Sequence, residues 1–309
     1  MHVPVLLNET LELLLTRPEG TYIDGTLGRG GHATEIVKRL APAGQLIGLD
    51  RDAEAIEKTA ETLQEFGEQA KRIHGNFADM KELCQTIGVT QVDGVLLDLG
   101  VSSPQLDVAD RGFSFSKDGP LDMRMDRTQG RSAADWVNEE DGETLANVIY
   151  RFGEERDSRR IARAIVKARE EQRIERTLEL AEIVARAKGG RRGPIHPATK
   201  TFQALRMAVN AELESLEAGL EAGLSMLREG GRMAVITFHS LEDRMVKQCF
   251  KRHTVRRESL QQGGEKLSFE EPAVRPITRK PLTATRQECS NNPRARSAKL
   301  RVVEREKAA

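Results

Sequence analysis

Over the first hundred residues, short apolar runs alternate with segments of helical periodicity. Residues 21–24 form a β-rich run that ends in glycines, and residues 32–40 then place Ala33, Ile36, Val37 and Leu40 at helical spacing. Residues 45–49 are a second apolar run closed by Asp50, residues 53–66 have helical composition, and residues 72–74 and 92–98 read as further strands. The last holds Val95, Leu96 and Leu97 in a row, the mark of a parallel strand covered on both faces. Strands alternating with helices predict βαβ units and an α/β fold with a doubly wound, Rossmann-like sheet.

The alternation stops after Asp98. Residues 133–150, 157–172, 177–188 and a long run at 199–227 carry only helical patterns, with Thr177 as a helix start and Gly189-Gly190 as a stop. Residues 232–238 then return to a buried strand, introduced by a Gly230-Gly231 turn. This order predicts an α/β domain of residues 1–104 and 218–309, interrupted by an inserted all-helical substrate-recognition domain at 105–217. Within the insertion, residues 118–126 read as a loop anchored by Leu121, Met123 and Met125.

Composition narrows the class. The chain has 309 residues, 38% hydrophobic and 31% charged, enough for a core and unlike a disordered tail. No apolar run approaches the roughly 20 residues of a membrane helix, and the first residues lack the features of a secretory signal, so a cytosolic protein is expected. Cys84, Cys249 and Cys289 contain no C-x-x-C pair, which predicts reduced thiols with neither a disulfide framework nor a bound metal.

The 48 basic and 48 acidic side chains cancel, but not locally. Residues 1–100 hold nine basic against sixteen acidic side chains, and residues 244–309 hold seventeen against seven. A basic, turn-rich C-terminal end suits a polyanion, or a solvated surface. Arg191 and Arg192 with His196 and Lys200 form a second basic cluster suited to phosphate. Arg294, Arg296, Lys299 and Arg301 alternate with small or apolar residues, which predicts one basic row on a final strand at 297–303.

The chemistry-bearing turn is Asp24-Gly-Thr-Leu-Gly-Arg-Gly-Gly-His32, between the first strand and the first helix. Glycines there let a ligand approach the backbone closely. Gly28-x-Gly30-x-x-Ala33 also satisfies the dinucleotide fingerprint, and Asp50, about 20 residues further on, can accept ribose hydroxyls of either NAD or S-adenosylmethionine. Asp24 and the strand ends at Phe77, Asp79 and Asp98 favour the second. An NAD-type dehydrogenase and a non-catalytic ribosome-assembly RNA-binding factor stay open on the residues alone.

Longer motifs carry a resemblance. The turn above, Leu97-Asp-Leu-Gly-Val-Ser-Ser-Pro-Gln105, Arg111-Gly-Phe-Ser-Phe115, Asp118-Gly-Pro-Leu-Asp-Met-Arg-Met-Asp126, His196-Pro-Ala-Thr199, Phe238-His-Ser-Leu-Glu-Asp-Arg244 and Asn292-Pro-Arg-Ala-Arg-Ser297 resemble the bacterial 16S ribosomal RNA cytosine-N4 methyltransferases of the MraW or RsmH type, over nearly the whole chain. The resemblance implies a class I methyltransferase sheet. It also implies methyl transfer from S-adenosylmethionine to a cytidine amine in the decoding centre of the small ribosomal subunit, by a cytoplasmic monomer or homodimer. Carried over by position, Gly30, Gly31, His32, Asp50, Phe77, Asp98 and Gln105 would contact the cofactor.

Methyl transfer to a cytosine amine is limited by the nucleophile, whose lone pair is delocalised into the ring. A hydrogen-bond acceptor must draw on the N–H groups, and a proton must leave late. Asp98, with Ser102 and His239 near it, is the candidate catalytic set. Many amino-methylating enzymes place Pro-Pro-aromatic after this position, whereas this chain has Leu99-Gly100-Val101, so Phe113, Phe115 or His239 would have to supply the stacking platform. After the resumed strand, Ser240 is the expected helix cap, with Glu242 and Asp243 in the first turn and His239 facing the pocket.

Overall fold

A computed structural model describes residues 4–189, 195–259 and 265–307; Arg191 and Arg192 lie outside the described residues. The chain divides into two compact units, Met1–Gly100 with Glu214–Ala309, and Val101–Leu213.

The first unit opens with α1 (Leu7–Leu14) and continues as β1 (Thr21–Asp24), α2 (Gly31–Val37), β2 (Gln45–Asp50), α3 (Ala53–Leu63), β3 (Ala70–His74), α4 (Met80–Gln85) and β4 (Val92–Asp98). The second unit holds α5 (Ser103–Asp107), α6 (Ala133–Glu139), α7 (Gly142–Gly153), α8 (Ser158–Glu171), α9 (Thr177–Ala187) and α10 (Thr199–Val209). After α11 (Glu212–Met226) the first unit resumes as β5 (Leu227–Thr237), α12 (Ser240–His253), β6 (Arg256–Ser259), β7 (Glu265–Ser268), β8 (Val274–Pro276), β9 (Leu282–Thr283), α13 (Arg286–Asn291) and β10 (Lys299–Arg305).

The main sheet runs β3-β2-β1-β4-β5-β10-β8, with β9 also on β10. The first five strands are parallel, and β10 lies antiparallel to β5 and β8. Side chains alternate between two buried faces. Ile23, Ile47, Val95, Leu97, Met233 and Val235 meet Leu216, Leu220 and Leu224 of α11 and Val246 and Phe250 of α12. Tyr22, Leu46, Leu96, Ala234 and Ile236 meet Leu11 and Leu14 of α1 and Ala33 and Ile36 of α2. Both layers are covered, as continuous apolar strands require. Among the described residues no helix is long and apolar enough to cross a membrane.

Three expected elements differ. The run at 133–150 breaks at Asp141, whose carboxylate caps α7 by accepting from the amides of Glu143 and Thr144 at 2.9 Å each. The run at 199–227 breaks at Asn210 and Ala211, the latter at φ 46°. Asn210 bridges the loop before α6, accepting from Met125 N at 2.8 Å and donating to Met123 O at 2.7 Å. Gly230-Gly231 lies inside β5, where the pairing with β4 shifts register between Val92 and Gly94. In the second unit Leu121, Met123 and Met125 are buried among α6 to α10, and Arg111, also buried, donates to the carbonyls of Arg124 and Met125.

Candidate active site

Because β2, β1 and β4 are parallel neighbours, the carboxylates that end them, Asp50, Asp24 and Asp98, emerge at one edge of the sheet. The chain proceeds outward from β1 in both directions, so this edge lies at the reversal of strand order, where open α/β sheets bind ligands. The turn after β1 is held by these acids. Gly28 N donates to Asp50 Oδ2 at 2.7 Å and Asp52 N to Asp50 Oδ1 at 2.8 Å. Thr26 N donates to Asp24 Oδ1 at 3.1 Å, and Thr26 Oγ1 accepts from Asp98 N at 2.6 Å. Gly28 and Gly30 sit at φ 52° and 73°, the left-handed region that glycine enters without steric cost.

His32, expected at the cofactor, is almost wholly buried on α2. Its Nε2 lies 3.2 Å from the carbonyl oxygen of Val5, which requires a proton on Nε2. Nδ1 lies 3.5 Å from Asp98 Oδ2. Burial lowers the basicity of this ring, but the hydrogen bond and charge of Asp98, with the charge of Asp24, overcome it and the pKa is raised. Burial pushes Asp24 up to about 6, opposed by His32 and the Thr26 amide and reinforced by Asp98 and Asp50. Burial likewise pushes Asp50 up to about 6, against the amides of Asp52 and Gly28. Asp98 Oδ1 is buried with no hydrogen-bond partner. Three carboxylates against one imidazolium leave a negative site that favours a cation.

A sequence model of the MraW methylase family matches residues 1–306. The chain belongs to the MraW methylase family. Its relatives include proteins named ribosomal RNA small subunit methyltransferase H, from Pelobacter propionicus (50% identical), Citrifermentans bemidjiense (52%) and Geobacter sulfurreducens (51%), each comparison covering 98% of both chains. As a member of the MraW methylase family the chain is an S-adenosylmethionine-dependent methyltransferase, and the dehydrogenase alternative falls.

This MraW methylase has a site that fits that donor. A sulfonium with an α-ammonium group is cationic, and it answers the excess of carboxylates at the strand ends. Phe77 follows β3, and its ring rests on Gly219 of α11, where a Cβ would stand 2.3 Å from Phe77 Cδ2. Gly30 precedes α2 as its N-cap and Gly31 begins it.

Other expected residues have local duties. His239, not Ser240, caps α12: its Nδ1 accepts from Glu242 N at 3.4 Å, and the buried Glu242 carboxylate accepts from Phe238 N at 2.8 Å and His239 N at 3.2 Å. Within the second unit, Ser102 and Gln105 form a capping box on α5, with Ser102 N donating to Gln105 Oε1 at 3.0 Å. Phe115 packs against His196 and Phe202, with ring centres 4.6 and 4.7 Å away. Of the expected basic row, Arg294 and Arg296 lie in the turn before β10, Arg296 exposed, and the two members on the strand are tied inward. Lys299 Nζ and Arg301 Nε reach Asp243 of α12 at 3.1 and 2.8 Å, and Arg305 reaches the carbonyl of Leu227. Thr26, whose hydroxyl joins two strand ends, escaped the sequence reading because a threonine in a glycine turn carries no charge signal.

Proposed function

We propose that the chain transfers a methyl group from S-adenosylmethionine to the N4 amine of a decoding-centre cytidine in 16S rRNA of the small ribosomal subunit. The unpartnered Oδ1 of Asp98 at the end of β4 carries this reading. When bound, the cofactor supplies an electrophilic methyl group. Gly30, Gly31, Asp50 and Phe77 would hold it, with Asp24 contributing negative charge.

Asp98 accepts an amine N–H, which returns electron density to nitrogen, and takes the proton once the new C–N bond has formed. His32, fixed by the Val5 carbonyl, holds the Asp98 carboxylate in orientation. His239 is the further candidate at the substrate, as a stacking platform. The relatives named as small subunit rRNA methyltransferases support the RNA substrate. Incubating small-subunit rRNA with the protein and methyl-labelled cofactor, then digesting to nucleosides, tests the reading: label is expected in N4-methylcytidine, and label confined to any other nucleoside rejects it.

A further inference from the structure

On the face of the sheet covered by α11 and α12, away from the strand-end carboxylates, three metal-type donors converge and a further carboxylate lies beside them. Cys249 and His253 stand four residues apart on α12, so both project from one side of the helix. Both are buried, at 2% and 1% exposure. Glu221 of α11 faces them: its Oε1 lies 3.6 Å from Cys249 Sγ and its Oε2 lies 3.0 Å from His253 Nε2. Glu270 approaches from the following segment, with Oε2 3.9 Å from His253 Nε2. The ligand atoms of Glu221, Cys249 and His253 lie within 4.8 Å of one another.

The histidine points to a cation. His253 Nδ1 faces two carbonyl oxygens, of Glu270 at 3.0 Å and Pro272 at 3.2 Å, so Nδ1 carries the proton. A neutral ring then aims the Nε2 lone pair at the Glu221 carboxylate, an arrangement that needs a positive charge between the two: a second proton or a metal ion. A backbone carbonyl on the far nitrogen is also how metal-ligating histidines are oriented.

We propose that Cys249, His253, Glu221 and Glu270 bind a zinc ion that ties α12 to α11 and to the segment before β8. Tetrahedral zinc with its ordinary bond lengths separates sulfur from oxygen by about 3.5 Å and nitrogen from oxygen by about 3.3 Å; Cys249 Sγ stands 3.6 Å from Glu221 Oε1, and His253 Nε2 stands 3.0 Å from Glu221 Oε2 and 3.9 Å from Glu270 Oε2. The charges also balance. A thiolate and two carboxylates are offset by Zn²⁺ and by Arg252, which reaches Glu221 at 2.7 Å and Glu270 at 3.0 Å. Zinc binding releases the thiol proton. Glu221 and Glu270 are about half exposed, which gives the ion a way in. A search for C-x-x-C pairs does not find C-x-x-x-H on a helix, where the spacing is one turn.

The full-length protein, purified without chelator, is expected to carry about one equivalent of zinc. After stripping, Co²⁺ should restore tetrahedral d–d bands and a thiolate-to-metal charge-transfer band. Cys249→Ala should abolish the latter, and His253→Ala should weaken binding on the order of 100-fold or more, since loss of a mere outer partner costs 10- to 100-fold. A Cys84→Ser/Cys289→Ser double variant should keep the band, which assigns the sulfur to Cys249 even if Cys249→Ala fails to fold. Wild-type protein that takes up neither metal, or Co²⁺ binding without the charge-transfer band, would show that a proton fills the role and overturn the proposal.

Discussion

His32 Nδ1 stands 3.5 Å from Asp98 Oδ2 while the same ring holds the carbonyl of Val5 at 3.2 Å. The imidazole therefore joins the segment before α1 to the end of β4. Its replacement in His32→Phe keeps an aromatic ring, somewhat larger, and removes both contacts. We expect kcat to fall on the order of 100-fold, as for a misplaced catalytic group, with a smaller change in the affinity for S-adenosylhomocysteine. Equal losses in both would mean that His32 serves binding alone.

Asp24 costs the protein stability in return for charge at the site. Its folded pKa, about 6, lies above the ordinary value of 3.8, so the folded state binds more protons between these values and stability declines as pH rises through that window. At neutral pH the cost approaches about 3 kcal/mol. Asp24→Asn should therefore raise the denaturation midpoint at pH 7.5, with little gain at pH 4, while weakening cofactor binding. Calorimetric titration and urea melts at both pH values test the two halves; a variant less stable at pH 7.5 would contradict the assignment.

Asp50 organises the turn through the amides of Gly28 and Asp52. Asp50→Ala removes charged hydrogen bonds worth about 1.5–3 kcal/mol each, so cofactor affinity should drop by at least roughly tenfold. RNA binding at low salt should be nearly unchanged. Filter binding with rRNA alongside cofactor titration makes the comparison, and a parallel loss of both would join sites that are held here to be separate.

Arg301 is bound to Asp243 and only 12% exposed, so it is a structural cation. Arg301→Ala should destabilise the fold by about 1–3 kcal/mol, leaving the salt dependence of RNA binding where it was. A reduced salt slope, measured between low and moderate ionic strength, would instead place Arg301 on a phosphate.

The sheet's parallel strands and the glycine turn were legible because their signals are local: an apolar run, a closing acid, glycines at the following turn. Asp24, Asp50 and Asp98 could be picked for the same reason. Pairings between distant segments were not. Nothing near His32 announces Val5 as its partner, and Lys299 and Arg301 look like a surface row until Asp243 is placed beneath them. The helical run through Asn210 continues on both sides of a break set by tertiary contacts to Met123 and Met125, which outweigh local propensity. The cap of α12 moved by one residue because the imidazole of His239 does the work expected of the Ser240 hydroxyl.

The place of β10 between β5 and β8 has a consequence for biosynthesis. The sheet draws its central strands from the start of the chain, β5 from beyond the inserted unit, and β10 from the last residues described. A nascent chain that has released β1 to β4 still lacks the partner for β4, and β5 in turn exposes a pairing edge until β10 arrives. Completion of the sheet thus waits for β10 to be made, and while it waits the uncovered edge of β5 is the part most in need of chaperone protection.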